Sequence, residues 1–411
     1  MTSRRYAVVG GGILGVAVAR RLLEVVSDAQ VTVWEKEHTL AAHQTGRNSG
    51  VVHAGLYYTP GSLKARMCRR GVGLLKDHCE RHGVAYDECG KVLVALDEPE
   101  AARLGDIERR ARANGVPGVR RLDQARLRRL EPHVRGTAGL HSPTTAIVDF
   151  PGVTRTLAAE VVSRGGRIRT GVEVVSLREG RGEVVLGGRC RGGATEHEAF
   201  DLVVLCPGLH SDRVAGLAGG EPDPRIVPFR GEYYLLRHDR RDVVQGLVYP
   251  VPDPRYPFLG IHLTPRVDGE VMVGPNAVMA LAREGYSRRS VSLRDLAETA
   301  AWPGFGRFAR RHWRTGIAEL AGSLSRRRFV AAARRYVPEL TTADVVPGPR
   351  GIRAQALDRE GRLVDDFRIS RHGHVVALRN APSPAATSSL AIAEHLVGMV
   401  LDPQGSSREP V

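Results

Sequence analysis

A chain of 411 residues is longer than one hydrophobic core usually organises, so two domains are expected. Hydrophobic residues at 42% and charged residues at 26% are ordinary globular proportions, and no apolar run reaches the ~18 residues needed to span a bilayer. The net charge of +15 is carried by arginines dispersed along the chain, with only Lys36, Lys64, Lys76 and Lys91 as lysines; this argues against nucleic acid as a partner and leaves steering of an anionic substrate or contact with acidic lipid.

Residues 6–9 suit a buried strand, and 13–26 has the length and apolar density of a buried helix. Between them Gly10, Gly12 and Gly15 make a GxGxxG loop, and Glu35 follows a second apolar run. Strand, glycine loop, helix, strand and acid in that order suit a dinucleotide. Gly10 permits the turn, Gly12 lets backbone N–H groups reach a pyrophosphate at the positive helix end, Gly15 allows close packing, and Glu35 accepts from ribose. Further on, 62–82 reads as a helix, 91–96 as a strand, 98–130 as two arginine-rich helices, and 153–164 as a helix ending near Gly165 and Gly166. A strand pair over 167–175 precedes an apolar strand at 202–206 closed by Pro207 and Gly208. Short alternating strands then occupy 227–236, 246–251, 258–263 and 270–273, followed by helical material over 292–336 and a last helix at 385–401. The expectation is a mostly parallel α/β domain completed by the C-terminus, with an antiparallel sheet inserted. Cys68, Cys79, Cys89, Cys190 and Cys206 lack CxxC spacing and accompanying histidines, so reduced thiols and no metal site are expected. The N-terminus shows no secretory pattern, which points to the cytoplasm.

The segment His43-Gln44-Thr45-Gly46-Arg47-Asn48-Ser49-Gly50-Val51-Val52-His53-Ala54-Gly55-Leu56-Tyr57-Tyr58 resembles the signature of FAD-dependent L-2-hydroxyglutarate oxidases and dehydrogenases, of the D-amino-acid-oxidase-like flavoprotein superfamily. The likeness continues through Val227-Pro228-Phe229-Arg230-Gly231-Glu232, Gly274-Pro275-Asn276-Ala277, Arg353-Ala354-Gln355-Ala356 and Asn380-Ala381-Pro382-Ser383-Pro384-Ala385-Ala386-Thr387-Ser388. It spans nearly the whole chain, and departures are mostly lysine-to-arginine exchanges and surface segments such as 178–198.

The resemblance implies an α/β fold with a Rossmann-like FAD-binding domain over 1–80, 148–220 and 345–411, and an inserted antiparallel-sheet substrate domain over 81–147 and 221–344. FAD would lie on Gly10, Gly12, Ile13, Leu14 and Gly15, with Glu35 and Lys36 beside it. Gln44, Thr45, Gly46, Asn48, Ser49 and Gly50 would pass the flavin, Val174 the adenine, and Gly208 the cofactor's flank. Pro384, Ala385, Thr387 and Ser388 would open a helix toward the flavin N1 and C2 carbonyl. The implied reaction is oxidation of L-2-hydroxyglutarate to 2-oxoglutarate by hydride transfer to flavin N5. His53 is the candidate base, with a histidine satisfied by backbone or flavin as the alternative. Arg230 and Arg353 are the candidate carboxylate clamps, and Tyr57, Tyr249, His262 and Asn276 candidate neutral donors. A related flavoenzyme for another 2-hydroxy acid, an amine or glycerol 3-phosphate stays open, as do an NAD(P) Rossmann protein and an FAD-carrying RNA-binding protein. Electrons would pass to oxygen or a quinone, the latter with peripheral membrane contact.

Overall fold

The computed structural model describes residues 4–180, 182–253 and 260–402. Runs such as Tyr6-Ala7-Val8-Val9 and Leu202-Val203-Val204-Leu205 are apolar on both faces, as strands inside a covered parallel sheet must be. They sit at the centre of a six-stranded sheet in the order Arg368–His372, Val375–Asn380, Leu202–Leu205, Arg5–Val9, Gln30–Trp34 and Arg167–Arg169. Only the edge strand Arg368–His372 runs antiparallel to its neighbour. Helices Ile13–Val25, Phe150–Ser163 and Ser389–Leu401 cover one face, where Val16, Leu157 and Leu396 pack with Val8, Val33 and Val204. On the other face Trp34 and Val203 meet Val174, Leu186 and Phe200 of an antiparallel sheet formed by Val172–Glu179, Val184–Cys190 and Thr195–Phe200.

A nine-stranded sheet forms the second layer system. Its path runs Val278–Met279, Arg225–Leu236, Val271–Gly274, His262–Pro265, Leu247–Pro250, Lys91–Ala95, Ala138–Ser142 and Arg120–Asp123, with Val345–Leu357 also paired to Arg225–Leu236. Leu247–Pro250 runs parallel to Lys91–Ala95, so the sheet is mixed and not wholly antiparallel.

Several expectations require correction. The strand Val345–Leu357, expected with the cofactor domain, pairs along Arg225–Leu236 from Arg225 opposite Leu357 to Leu236 opposite Val345, with one register shift between Glu232 and Tyr234, which places Arg353 in the larger sheet. The segment 98–130 holds the two expected helices, Glu98–Ala113 and Gln124–Leu130, but the strand Arg120–Asp123 lies between them. Residues 167–175 are not a strand pair: Arg167–Arg169 ends the parallel sheet and Val172–Glu179 starts the antiparallel one, because Gly171 at φ +76° turns the chain between them. The expected strand 258–263 starts within 254–259, which lies outside the described residues, and the observed strand is His262–Pro265. The last helix begins at Ser389, after a run of turns from Ser383 to Ser388, so it is shorter than expected.

Candidate active site

A cavity of about 1090 Å³ runs from the glycine loop to the larger sheet, and it is lined by both ends of the chain. At its first end, Gly10 has φ +112°, and a methyl there would lie 2.3 Å from the Cys206 carbonyl oxygen. Gly12 caps helix Ile13–Val25 without a side-chain bond of its own, and the helix has no acidic residue in its first turn, so its positive pole faces the cavity. Gly12, Ile13 and Leu14 line the wall. Gly15 does not; a methyl there would strike Gly10 O at 1.9 Å, so this glycine serves the contact of helix with strand.

Glu35 lines the cavity while holding the loop's shape: its two oxygens accept from Gly11 N at 2.6 Å and Glu37 N at 2.7 Å. Further lone pairs remain for a ligand hydroxyl. Lys36 pairs with Glu37 and Glu284, at 2.5 and 2.6 Å, and His43 Nδ1 meets Tyr286 Oη at 2.8 Å. These contacts fasten the segment around 284–286 over the loop after the second strand. Burial alone would raise the Glu284 carboxyl, but hydrogen bonds from His210 and Lys36 bring it down to about 2.

The next stretch is shaped by its own side chains. Thr45 Oγ1 accepts from Ile13 N at 3.1 Å, and Asn48 donates to Gln44 O and Thr45 O while accepting from Gly50 N. Gln44, Thr45, Asn48 and Ser49 line the cavity; Gly46 and Gly50 do not. Gly46 is needed because a methyl would sit 2.4 Å from Ala41 O, and Gly50 because its φ is +74°. Val174 reaches the wall beside a register shift between Val174 and Ser176, and Gly208, at φ +54°, approaches Gln44.

At the far end His53 is fixed from two sides. Its backbone N–H donates to Thr387 Oγ1 at 3.1 Å, its carbonyl accepts from Cys68 Sγ at 3.1 Å, and its Nε2 lies 3.3 Å from Ser383 Oγ. Burial first, and then the positive charges of Lys91, Lys64 and Arg353, push its imidazole down to about 3. The ring is therefore neutral at pH 7, with one nitrogen able to accept a proton. Tyr249 stacks on His262 at a centroid distance of 3.8 Å, and His262 Nδ1 meets Thr264 Oγ1 at 2.9 Å. Tyr57 accepts from Lys91 Nζ at 3.2 Å. Tyr57, Tyr249, His262 and Arg353 all line the cavity with His53.

Two expected substrate residues are elsewhere. Arg230 is buried, does not line the cavity, and has its guanidinium turned to Glu232, Gly285 O and Ser287 O. Asn276 bonds the same carboxylate, donating to Glu232 Oε2 and accepting from Glu232 N. Burial would raise Glu232, but Arg288, Ser323 and Asn276 bring it down to about 2, so the cluster is a satisfied ionic knot inside the sheet. Ser388 is also removed from the wall: it is fully buried where the helix Leu63–His82 crosses, and a methyl on Gly71 would lie 2.6 Å from its Cα. Pro384, Ala385 and Thr387 do line the cavity, but as a turn before the helix and not as its opening.

Lys91 was the chief residue missed. It starts an otherwise apolar strand, is 2% exposed, and sits 3.9 Å above the Tyr249 ring centre. Burial lowers its ammonium to about 7. A lysine opening the run Val92-Leu93-Val94-Ala95, in a chain with so few lysines, was the available signal. Lys91 stands behind the wall, against Tyr57 and Tyr249, whereas Lys64, Tyr233 and Gln355 line the cavity itself.

Comparison with known proteins now adds to this geometry. The profile of the family described as FAD dependent oxidoreductase (DAO) matches residues 5–399. The mitochondrial L-2-hydroxyglutarate dehydrogenase of Caenorhabditis elegans is 45% identical over 404 residues, covering 96% of this chain and 92% of its own. The L-2-hydroxyglutarate dehydrogenase of Escherichia coli K12 is 42% identical, covering 98% and 95%, and the human mitochondrial enzyme 41%, covering 96% and 87%. Among solved structures, the dithionite-reduced L-alpha-glycerophosphate oxidase of Mycoplasma pneumoniae, with FAD bound, superposes with a TM-score of 0.79 at 22% identity over 98% of this chain and 96% of that one. Glycine oxidase of Geobacillus kaustophilus gives 0.70 at 20% identity, covering 99% and 96%. These two show the fold.

Proposed function

Because the chain belongs to the FAD dependent oxidoreductase family, DAO, we propose that this flavoenzyme oxidises L-2-hydroxyglutarate to 2-oxoglutarate. The residues present fit FAD: Gly12 keeps the cavity wall free of a side chain, Gly10 makes the tight turn against the Cys206 carbonyl, and the N-terminal end of helix Ile13–Val25 would face the pyrophosphate. Gln44, Thr45, Asn48 and Ser49, with Pro384, Ala385 and Thr387, would flank its ring, and Val174 and Gly208 its nucleotide half. When bound, FAD supplies the acceptor for the hydride.

The observation that carries the substrate reading is that Arg353 and Lys64 line the cavity together with His53, with Lys91 buried just behind Tyr57, so cationic side chains surround the candidate base. Such a site stabilises carboxylates and disfavours amines that bind as cations. Arg353 would grip one carboxylate with its planar fork, while Tyr57, Tyr249 and His262 orient the rest and His53 takes the hydroxyl proton. Anaerobic mixing tests this: L-2-hydroxyglutarate should bleach the flavin, whereas its D enantiomer, glycine and glycerol 3-phosphate should not. Bleaching by one of the last three in preference to the L-diacid would refute the assignment.

Binding of the diacid should also draw in a proton. Lys91 is lowered to about 7, so at pH 8 it is mostly neutral; a nearby carboxylate favours its charged form and raises that value. Calorimetry of 2-oxoglutarate binding at pH 8, in buffers of different ionisation enthalpy, should register uptake approaching one proton, and Lys91→Met should abolish most of it.

No helix among the described residues is long and apolar enough to cross a membrane. On helix Pro303–Leu324, however, Trp313, Ile317, Leu320 and Leu324 recur on one face and are more than half exposed, beside the exposed Arg310, Arg311 and Arg314. That combination suits an anionic bilayer surface, where a quinone would serve as electron acceptor. Flotation with vesicles containing phosphatidylglycerol should carry the protein upward, and Trp313→Glu with Ile317→Glu should leave it at the bottom; equal flotation of both would exclude this face.

A further inference from the structure

Helix Leu63–His82 places His78 and His82 one turn apart, so their rings share a face, 4.4 Å between centres. Opposite them, helix Phe150–Ser163 presents Glu160. His82 Nε2 lies 3.1 Å and His78 Nδ1 3.6 Å from Glu160 Oε1. None of the three lines the cavity. We propose that His78 Nδ1, His82 Nε2 and Glu160 Oε1 are the ligands of a divalent transition-metal site of the zinc class.

The hydrogen bonds around the cluster give the reason. Thr156 Oγ1 lies 2.9 Å from the helix carbonyl of Val153 and 3.3 Å from that of Gly152; with its proton given to these carbonyls, its oxygen is left to accept from His78 Nε2–H at 2.8 Å. That leaves the lone pair of Nδ1 directed at a carboxylate oxygen, an arrangement that repels unless a cation lies between. A histidine whose second nitrogen donates to a neighbouring oxygen is also how metal-bound imidazoles are oriented. Arg20 Nε holds Glu160 Oε2 at 3.0 Å, so one oxygen is engaged and the other is left to bind singly. Ligands about 2.0 Å from a tetrahedral ion sit roughly 3.3 Å apart, and the two observed separations straddle that spacing.

A contrast inside the same molecule sharpens the argument. Glu37, His43 and Glu284 form the other group of three possible ligands among the described residues, with one histidine and two carboxylates, but the Lys36 ammonium stands at 2.5 and 2.6 Å from those carboxylates, where an ion would sit. No lysine enters the His78 group. Imidazole nitrogens favour zinc, nickel or copper over magnesium or calcium. Bound there, the ion would clamp two helices and, through Arg20, the helix of the glycine loop.

The FAD-loaded full chain, treated with chelator and desalted, should take up one equivalent of Zn²⁺ in a calorimetric titration, with its unfolding temperature rising on binding. His82 is partly exposed, so His82→Ala should fold normally and lose the site, as should Glu160→Gln. Thr156→Val, which removes only the partner of His78, should weaken binding by about 10- to 100-fold, while Glu37→Gln should leave it unchanged. Absence of a saturable site, a site that persists in His82→Ala, or one lost in Glu37→Gln would each overturn the proposal.

Discussion

His53→Gln is expected to lower kcat for the L-diacid by about 10²- to 10⁴-fold, the range for removing a positioned general base, with the flavin content unchanged. In the free protein this imidazole is held down to about 3 by burial and by Lys91, Lys64 and Arg353, too weak a base to serve well. A bound dicarboxylate would offset two of the three positive charges around the ring and so raise the imidazole toward neutrality. The substrate thereby creates the basicity it needs. The acid limb of kcat, which reports the complex, should thus lie at higher pH than any limb of kcat/KM traceable to His53, and it should vanish in the variant. A variant within about threefold of the parent kcat would remove His53 from the chemistry.

Arg353→Ala should raise KM for the diacid by about 30-fold to several thousand-fold, as expected when 2–5 kcal/mol of charge pairing is lost. The side chain stands on Val345–Leu357 opposite Phe229, and it acts electrostatically on His53, Tyr57, Tyr249 and His262 alike. Arg353→Lys should recover only part of the loss, because an ammonium keeps the charge and forfeits the two parallel bonds. Retained flavin with a raised KM supports a substrate role. Lost flavin with an unchanged KM would assign the residue to the cofactor.

The glycine loop was legible because it rests on a local backbone demand, a positive φ and close approaches, whereas the loop over 44–49, His53 and the segment before the last helix were reached only through the family resemblance, and that segment is a turn where a helix opening was expected. Arg230 misled for a different reason. Its counter-ion is two residues along the same strand, and residues at that spacing share a face, so Arg230-Gly231-Glu232 already contained the neutralising partner. Asn276 reaches that same carboxylate from 44 positions away, which only the folded sheet reveals. Lys91 was obscured in turn by the apolar strand it begins, and the His78–His82 pair because its third member, Glu160, stands on a different helix, Phe150–Ser163.

Synthesis from the first residue onward imposes an order on this molecule. The central strand Arg5–Val9 emerges early, yet its partner is Leu202–Leu205, and that strand's outer neighbour is Val375–Asn380. The wall at Thr387, which anchors the His53 backbone, comes later still. A nascent chain on the ribosome accordingly has no complete seat for FAD until Thr387 has been made. Full enclosure of FAD would then wait for the docking of helix Ser389–Leu401.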